Sequence, residues 1–244
     1  MLAAFRDRTG APIHTFKGQH DYLTETDSAV EQLIRKRFAA AFPQDGFLGE
    51  ESAGDTTAAF GRDVWVVDPI DGTSNFARGV PHFCTSIAFV RDQQIEIGVI
   101  YEPILDELYV ARRGAGATRN AQPIKVSGIA SMSEAIIEAG WSMRRPTEAY
   151  VDLVDQLYRA GAQVRRAGSG TLGLAYVADG RSDAYCELHI NSWDALAGLL
   201  LIKEAGGWTN DFLANDGLRR GNVVLGCTPA LKDIMAGAVG LNIP

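Results

Sequence analysis

The sequence predicts a mixed α and β protein, with an α+β half over residues 1–126 and an α/β half over residues 127–244. In the first half, short apolar runs follow one another between turn residues with few helices, which favours a largely antiparallel sheet. In the second half, apolar runs alternate with helical patterns, as in α/β folds. The segment "GAGATRNAQPIKVSG" between the halves is the strongest break in composition and places the boundary near Val126.

The first half opens with one helix and continues as strands. The segment "TETDSAVEQLIRKRFAAAF" predicts a helix capped by Thr26 or Asp27 and stopped by Pro43. Its expected apolar face consists of Val30, Leu33, Ile34, Phe38 and Ala41. The runs that predict strands are "FLGE", "VWVVD", "FCTSIAFV", "IEIGVIY" and "ELYVA".

The second half is expected to contain four strands and four helices. The strands are predicted at "AIIEAGW", "AQVRRAG", "DAYCEL" and "NVVLG", and the helices at 147–160, 170–179, 192–205 and 229–239. The glycines of "KEAGG" follow the third of these helices, where a left-handed C-terminal residue is common.

Composition narrows the class of protein and its partners. The chain has 244 residues, 46% of them hydrophobic, which is enough for a sizeable core. A net charge of -7 argues against a nucleic-acid partner, and the absence of a long apolar window argues against a membrane partner. The three cysteines are far apart in sequence, which favours reduced thiols and a cytoplasmic location over a disulfide framework.

Two carboxylates end an apolar strand in "WVVDPIDGTSNF". Turn chemistry alone could explain Asp68 and Asp71, since Asp, Pro and Gly are common turn residues. However, Thr73 follows directly, and a second acidic pair, Glu50–Glu51, ends the preceding strand in the same way. Buried carboxylates side by side require neutralisation, and Mg²⁺ prefers oxygen ligands.

A further acidic residue, Asp194, begins the apolar helix of "NSWDALAGLLLIKEAGG". An acid that interacts favourably with the helix dipole is an equally good explanation for this position taken alone.

Four segments, taken together, carry a family resemblance. "FKGQHDYLTETD", "GEES", "WVVDPIDGTSNF" and "WDALAGLLLIKEAGG", in this order, resemble the inositol monophosphatase family of Mg²⁺-dependent, Li⁺-sensitive phosphatases. The match runs from about residue 16 to the C-terminus, although only sixteen residues precede Lys17, fewer than is usual in the family. The resemblance implies a layered αβαβα sandwich and a homodimer.

The resemblance also implies two to three Mg²⁺ ions and their ligands. Glu50, Asp68 and the backbone carbonyl of Ile70 would hold one ion. Asp68, Asp71 and Asp194 would hold a second, and a third, weaker site would use Glu50.

The same resemblance implies how water and phosphate are placed. Glu50 and Thr73 would orient the attacking water, with Asp27 hydrogen-bonded to the Thr73 hydroxyl. The phosphate is expected at the backbone N–H groups of Gly72 and Thr73 if a helix begins there. Asp71 is expected to contact substrate as well as metal.

The segment "GSGTLG" (168–173) has the G-x-G-x-x-G form of a dinucleotide-binding loop, with Glu187 about twenty residues further on. About sixty residues follow the predicted helix, too few for a second nucleotide-binding half, so a smaller ligand is favoured. Ser169 is expected to cap the helix. By resemblance, the Gly170 backbone, Glu187 and Asp194 would bind a polyol ring.

The function expected from this resemblance is a Mg²⁺-dependent phosphomonoesterase acting on inositol monophosphate. Histidinol phosphate, fructose 1,6-bisphosphate and 3'-phosphoadenosine 5'-phosphate are alternative substrates for the same chemistry. A non-catalytic protein that binds transcription machinery is an alternative of another class. Lys17, Glu51, His189 and Asn191 receive no firm role.

Overall fold

The structure, a computed structural model, describes residues 1–7, 14–18, 21–52 and 63–242. Its helices are α1 (Leu2–Arg6), α2 (Glu25–Ala41), α3 (Thr73–Arg78), α4 (Thr147–Arg159), α5 (Gly170–Ala178), α6 (Ser192–Glu204), α7 (Gly217–Arg220) and α8 (Lys232–Ala238). The strands of the first half are β1 (His14–Gly18), β2 (Asp21–Thr24), β3 (Gly46–Gly49), β4 (Asp63–Asp71), β5 (Cys84–Arg91), β6 (Gln94–Glu102), β7 (Glu107–Arg112), β8 (Ala117–Arg119) and β9 (Gln122–Pro123). Those of the second half are β10 (Ile136–Ala139), β11 (Gln163–Arg165), β12 (Ala184–Ile190), β13 (Trp208–Thr209) and β14 (Asn222–Cys227).

Two large sheets and three helical layers form an αβαβα sandwich. The first sheet has the order β3-β4-β5-β6-β7-β8-β9, antiparallel except for the parallel pair β3–β4. The second has the order β11-β10-β12-β14-β13. Helices α5 and α6 lie between the sheets, α2 packs outside the first, and α4 and α8 pack outside the second. The fold class expected from the sequence is confirmed.

Helix α6 is the centre of the molecule. Its residues are apolar all round rather than on one stripe, and most of them, including Leu196, Leu199 and Leu201, are buried. A helix that is apolar on every side must be covered on every side. The core around it contains residues from both halves of the chain.

The predicted elements agree closely with the observed ones in the second half, where all four strands and four helices are present. The last helix begins with a short 3-10 turn over Pro229–Leu231. Gly206 takes a left-handed conformation (φ +88°) just after α6, as the glycines of "KEAGG" predict. Sequence periodicity did not find the short strands β8, β9 and β13, since two or three residues are too few to show a pattern.

The first predicted helix differs from expectation in two ways. It begins two residues earlier than a Thr26 cap would allow, because Thr24 is the N-cap and its side chain accepts a hydrogen bond from the Asp27 backbone N–H. The expected apolar face is also wrong in part, since Leu33 is 56% exposed while Asp27 and Glu31 are buried. The inner face of α2 is therefore carboxylate-rich at its N-terminal end, where it meets the polar residues after β3 and β4.

Among the described residues, no helix combines the length and apolar character that crossing a bilayer requires.

Candidate metal centre

A bulge in β4 brings two of the predicted carboxylates to one side of the sheet. Side chains alternate between the faces of a strand, so Asp68 and Asp71, three apart, would normally face opposite ways. They pair with Ser86 and Cys84, which are only two apart, so β4 holds one extra residue here. Pro69 lies in this bulge, where its missing N–H breaks no ladder bond.

Asp68, Asp71 and Asp194 form one carboxylate cluster, with ligand oxygens that all lie within 4.8 Å of one another. Burial, together with the nearby Glu50, Asp194 and Asp71 carboxylates, raises the pKa of Asp68 well above its ordinary value. Within the described part of the chain, no Lys or Arg forms an ion pair with any of the three clustered aspartates. An all-oxygen donor set with unbalanced negative charge fits a hard divalent cation such as Mg²⁺.

Asp71 connects the first half of the chain to the second. Its Oδ2 atom accepts hydrogen bonds from the Ser169 hydroxyl and, at 2.8 Å, from the Thr171 backbone N–H. Burial raises the pKa of Asp71, and these two donors oppose the rise. One oxygen of the carboxylate is thus held by the start of α5.

Asp194 has both of the roles that the sequence allowed. Its Oδ2 accepts the Asn191 backbone N–H at 3.2 Å, as an acid in the first turn of a helix commonly does. Burial and the neighbouring Asp71 raise the pKa of Asp194 to about 8. The helix cap fixes the carboxylate at the cluster, so the two roles support each other.

Thr73 begins α3 directly after the strand. Its hydroxyl lies 2.8 Å from the Ile70 carbonyl oxygen and 3.3 Å from Asp27 Oδ1. A threonine hydroxyl has one hydrogen, so it donates to one of these acceptors at a time. The Ile70 backbone N–H donates to Asp68 Oδ1 at 2.9 Å. The Ile70 carbonyl oxygen is the group that faces the Thr73 hydroxyl.

Glu50 follows β3 and lines the edge of the same site. Its backbone N–H donates to the Val67 carbonyl at 3.1 Å, which continues the parallel pairing of β3 with β4. The acid pairs of "FLGE" and "WVVDPID" therefore end two adjacent strands. After burial, the negative charge of Glu50 is the next cause of the raised pKa of Asp68.

Two of these groups, Glu50 and Asp194, open onto a cleft of about 960 Å³. Glu50, Glu187 and Asp194 line it from the acidic side. The residues that line the rest of it include Ser74, Asn75, Arg78, Trp141, Arg144, Arg166, His189 and Asn191. A volume of this size is ample for a small phosphorylated molecule.

The family model of the inositol monophosphatase family matches residues 3–239. The chain belongs to the inositol monophosphatase family. It is 41% identical over 229 residues to the inositol-1-monophosphatase of Rhizobium meliloti, covering 91% of this chain and 85% of that protein. It is 42% identical over 205 residues to the Nus factor SuhB of Xylella fastidiosa, covering 83% of this chain and 74% of that protein.

A solved structure supports the same relationship at the level of the fold. The extragenic suppressor protein suhB of Bartonella henselae superposes with a TM-score of 0.83 at 34% identity. The match covers 94% of this chain and 89% of the Bartonella chain. The αβαβα sandwich described above is thus the inositol monophosphatase fold.

In this member of the inositol monophosphatase family, Gly72 has two structural reasons to be glycine. Its φ is +87°, and a Cβ atom there would lie 2.9 Å from the His82 carbonyl oxygen. The predicted helix does begin at this point, with Gly72 as the N-cap of α3. The expected phosphate contact of the Gly72 and Thr73 N–H groups stays a prediction.

The three glycines of "GSGTLG" are explained by packing within the protein. A Cβ atom at Gly170 would lie 2.7 Å from the Tyr185 hydroxyl oxygen, and one at Gly173 would lie 2.5 Å from the Tyr185 ring. Gly168 has φ +86° and faces the Asn75 side chain. Ser169 caps α5, as expected, by accepting the Leu172 backbone N–H. The resemblance to a dinucleotide loop therefore has a structural explanation in this chain.

Glu187 lies on β12 at the inner end of the cleft and is 8% exposed. Its Oε2 accepts the Tyr185 hydroxyl at 2.7 Å. Burial raises the pKa of Glu187 to about 7, against the effect of this hydrogen bond. Gly170 and Glu187 both line a smaller inner cavity of about 160 Å³ that opens beside Asp71 and Asp194.

Sequence reasoning missed Glu31, a residue of α2 that holds the backbone next to Glu50. Its Oε2 accepts the Glu51 backbone N–H at 2.8 Å. A Cβ atom at Gly49 would lie 2.3 Å from the same oxygen, so the glycine makes room for it. Glu31 follows Asp27 by one helical turn, and this i, i+4 pair of acids was the available signal.

Sequence reasoning also missed the basic and aromatic wall of the cleft. Arg166 lies 6.0 Å from the centre of the Trp141 ring. His189, which had no predicted role, contacts the Arg220 carbonyl oxygen through Nε2 at 3.0 Å. The assignment of Lys17 concerns a side chain outside the described part of the structure.

Proposed function

We propose that this chain is a Mg²⁺-dependent phosphomonoesterase that hydrolyses a small polyol phosphate, with inositol monophosphate as the first candidate. The observation that carries the proposal is the cluster of Asp68, Asp71 and Asp194, in which Asp68 is buried and Asp194 lines the cleft. Among the described residues, no basic side chain forms an ion pair with this cluster. Clustered carboxylates of this kind require cations to be stable in the ionised form. Membership of the inositol monophosphatase family supports the same chemistry.

We assign the donor groups to the sets that the resemblance implies. Glu50, Asp68 and the Ile70 carbonyl would hold one Mg²⁺, and Asp68, Asp71 and Asp194 a second, with a third weaker site at Glu50. Bound Mg²⁺ supplies an activated water and stabilises charge on the leaving oxygen. A cofactor requirement of two to three ions belongs to this proposal.

Thr73 has a specific task in this scheme. With the Ile70 carbonyl engaged by a cation, Asp27 Oδ1 is the remaining acceptor for the Thr73 hydroxyl hydrogen. With its hydrogen directed to Asp27, the Thr73 hydroxyl oxygen keeps lone-pair capacity to accept a hydrogen bond from water. Thr73 and Glu50 would then orient the attacking water together.

Substrate contacts are proposed on both sides of the cluster. The Gly72 and Thr73 N–H groups would bind phosphate oxygens. Glu187, the Gly170 backbone and the Asp194 carboxylate would bind hydroxyls of the polyol ring in the inner cavity. Glu187 with a pKa of about 7 can accept or donate a hydrogen bond near neutral pH.

The decisive test is phosphate release from inositol 1-phosphate with and without Mg²⁺. Asp71→Asn and Asp194→Asn should each reduce turnover by more than about 100-fold, because even changes outside the ligand set cost about 10- to 100-fold. Asp155→Asn is the matched control, since Asp155 is an exposed acid on α4 paired with Arg159. Normal turnover by either cluster variant would refute the proposal.

The substrate is to be settled by the same assay on a panel. Histidinol phosphate, fructose 1,6-bisphosphate and 3'-phosphoadenosine 5'-phosphate are the alternatives that could use the same carboxylate cluster. The substrate with the highest kcat/KM identifies the branch of the family.

A regulatory role is the second candidate function, because the Xylella fastidiosa relative carries the name Nus factor SuhB. In this hypothesis the chain binds transcription machinery and has no catalytic role. A pull-down that recovers a stoichiometric partner, together with absent phosphatase activity, would favour it. Retained activity in the assay above would show that regulation is not the sole function.

Three further properties are carried over from the family resemblance as proposals: inhibition by Li⁺, a homodimer, and a cytoplasmic location. The three cysteines are all free and buried, which agrees with a reducing compartment.

A further inference from the structure

A short loop between β11 and α5 is held from two sides at a single residue, Ala167. The Ala167 backbone N–H donates to Glu138 Oε1 at 3.2 Å. The Ala167 carbonyl accepts from Asn75 Nδ2 at 3.0 Å. Glu138 lies on β10 in the second half, whereas Asn75 lies on α3 in the first. The loop is therefore fixed between the two halves.

Asn75 is itself anchored to its own half. Its Nδ2 also donates to the His82 carbonyl at 2.8 Å, so both amide hydrogens have acceptors. Gly168 packs against the same amide, since a Cβ atom at Gly168 would lie 3.3 Å from Asn75 Nδ2. A hydrogen bond and a close backbone approach thus fix the loop on Asn75 independently.

The same loop holds a proposed metal ligand. Two residues beyond Ala167, Ser169 donates to Asp71 Oδ2, and Thr171 donates to the same oxygen through its backbone N–H. Asp71 and Asn75 are close in sequence, but the structure connects them through the second half of the chain. A shift of the loop would turn the Asp71 carboxylate.

We propose that Asn75 is a positioning residue: it seats the loop of residues 166–169 so that Ser169 and Thr171 hold Asp71 in a metal-binding orientation. The inference rests on the metal site of the proposed function. Asn75 touches neither metal nor reacting atoms in this role. It lies within the segment "WVVDPIDGTSNF", but sequence reasoning gave it no role.

The test compares Asn75→Ala with the unchanged full-length protein, with Mg²⁺ alone as the probe. The Mg²⁺ concentration for half of the maximal rise in Tm should increase about 3- to 10-fold, the range expected for one lost neutral hydrogen bond. Phosphate release from inositol 1-phosphate should show the same shift, and its rate should recover to within about twofold at saturating Mg²⁺. A purely structural defect would lower the rate at every Mg²⁺ concentration.

A second variant, Asn75→Asp, distinguishes positioning of the loop from a direct effect of charge on Mg²⁺ binding. It keeps the shape of the side chain, loses the donor and adds a negative charge near the cluster. Positioning predicts weaker Mg²⁺ binding, whereas a direct charge effect predicts tighter binding. Asn120→Asp is the matched control, because Asn120 also donates to a backbone carbonyl, that of Asp106, but lies outside the cleft.

Amide hydrogen exchange gives a readout that needs no metal. In Asn75→Ala without metal, the N–H groups of residues 167–171 should exchange faster, since their loop is less restrained. Unchanged exchange and unchanged Mg²⁺ dependence would overturn the inference. If the unchanged protein itself fails to respond to Mg²⁺, the proposed function fails instead, and the exchange experiment still tests the positioning.

Discussion

Asp194 makes the stability of the metal-free protein depend on pH. Its pKa is raised from 3.8 to about 8 in the folded state, mainly by burial and then by Asp71. Between these pH values the folded protein keeps a proton that the unfolded chain has released, so the proton stabilises the fold. This contribution is fully present below about pH 4 and is lost as the pH rises through about 8.

We therefore expect the Tm in the presence of a chelator to fall between about pH 5.5 and about pH 8.5. Asp194→Asn cannot release a proton and keeps an acceptor for the Asn191 N–H, so its Tm should fall less over this range. Saturating Mg²⁺ should raise the Tm of the unchanged protein most at the upper end, where the cluster is ionised. An equal fall in Tm for the two proteins would contradict this account, and thermal melts in a pH series measure it.

A residue of the candidate site could be predicted from the sequence when its interaction partners lie in the same short segment. Asp68, Asp71 and Thr73 could be selected from one segment, because two acids three residues apart at the end of an apolar strand need a compensating charge. Glu31 and Asn75 could not, since each acts on a backbone group that is distant in sequence. These partners are brought together by the packing of helices and strands, and a single sequence does not reveal that packing.

At the scale of elements, α6 positions Asp194 through close contact with its neighbours. Gly98 on β6 lies under α6, where a Cβ atom would be 2.7 Å from the Ala197 carbonyl oxygen. On the other side, Gly198 faces the Leu174 side chain of α5. The helix is therefore tightly confined between a sheet and another helix, and its position leaves little room for adjustment.

Gly98→Ala should lower stability by about 1 to 3 kcal/mol, because the added methyl group overpacks the contact between β6 and α6. Mg²⁺ binding should weaken as well if α6 moves. Gly237→Ala is a suitable control: Gly237 lies on α8 and has nothing within 4 Å of the added atom. That variant should be neutral or slightly stabilising. Denaturant unfolding measures both, and equal stability of the two variants would argue against the close contact.

Hydrophobic periodicity predicted the long helices and strands of the second half. It failed where a buried helix face carries polar side chains instead of apolar ones. Helix α2 is the example, since its inner face carries Asp27 and Glu31 while Leu33 is exposed. An apolar pattern identifies the face of a helix that meets a core, and this part of α2 meets a polar site. The compositional break at 114–128 likewise contains the hairpin of β8 and β9, with Asn120 and Ala121 at positive φ in its turn.

At the scale of the molecule, the two halves share one core. Helix α6 belongs to the second half by sequence, but it packs on the sheet of the first. An ion pair joins them too, since the partly exposed Arg119 of β8 lies 2.6 Å from the buried carboxylate of Asp179. We propose that the boundary near Val126 divides the topology without separating independent folding units.

Separate expression of residues 1–126 and 127–244 tests this proposal. Each fragment should lack cooperative unfolding, because removing the other exposes the apolar surface around α6. The full chain should unfold in a single transition with coincident near-UV and far-UV signals. A fragment that melts cooperatively by itself would show that the boundary separates true domains.

The bulge in β4 has a consequence for how such sites can vary. Asp68 and Asp71 face the same side only because one residue more than the partner strand requires lies between them. Replacing Pro69 or Ile70 changes a side chain, but removing or adding one residue there inverts one carboxylate relative to the other. The number of residues between Asp68 and Asp71 should therefore tolerate less change than their identity. For this site, deletion of one of these residues is a more severe mutation than any substitution of them.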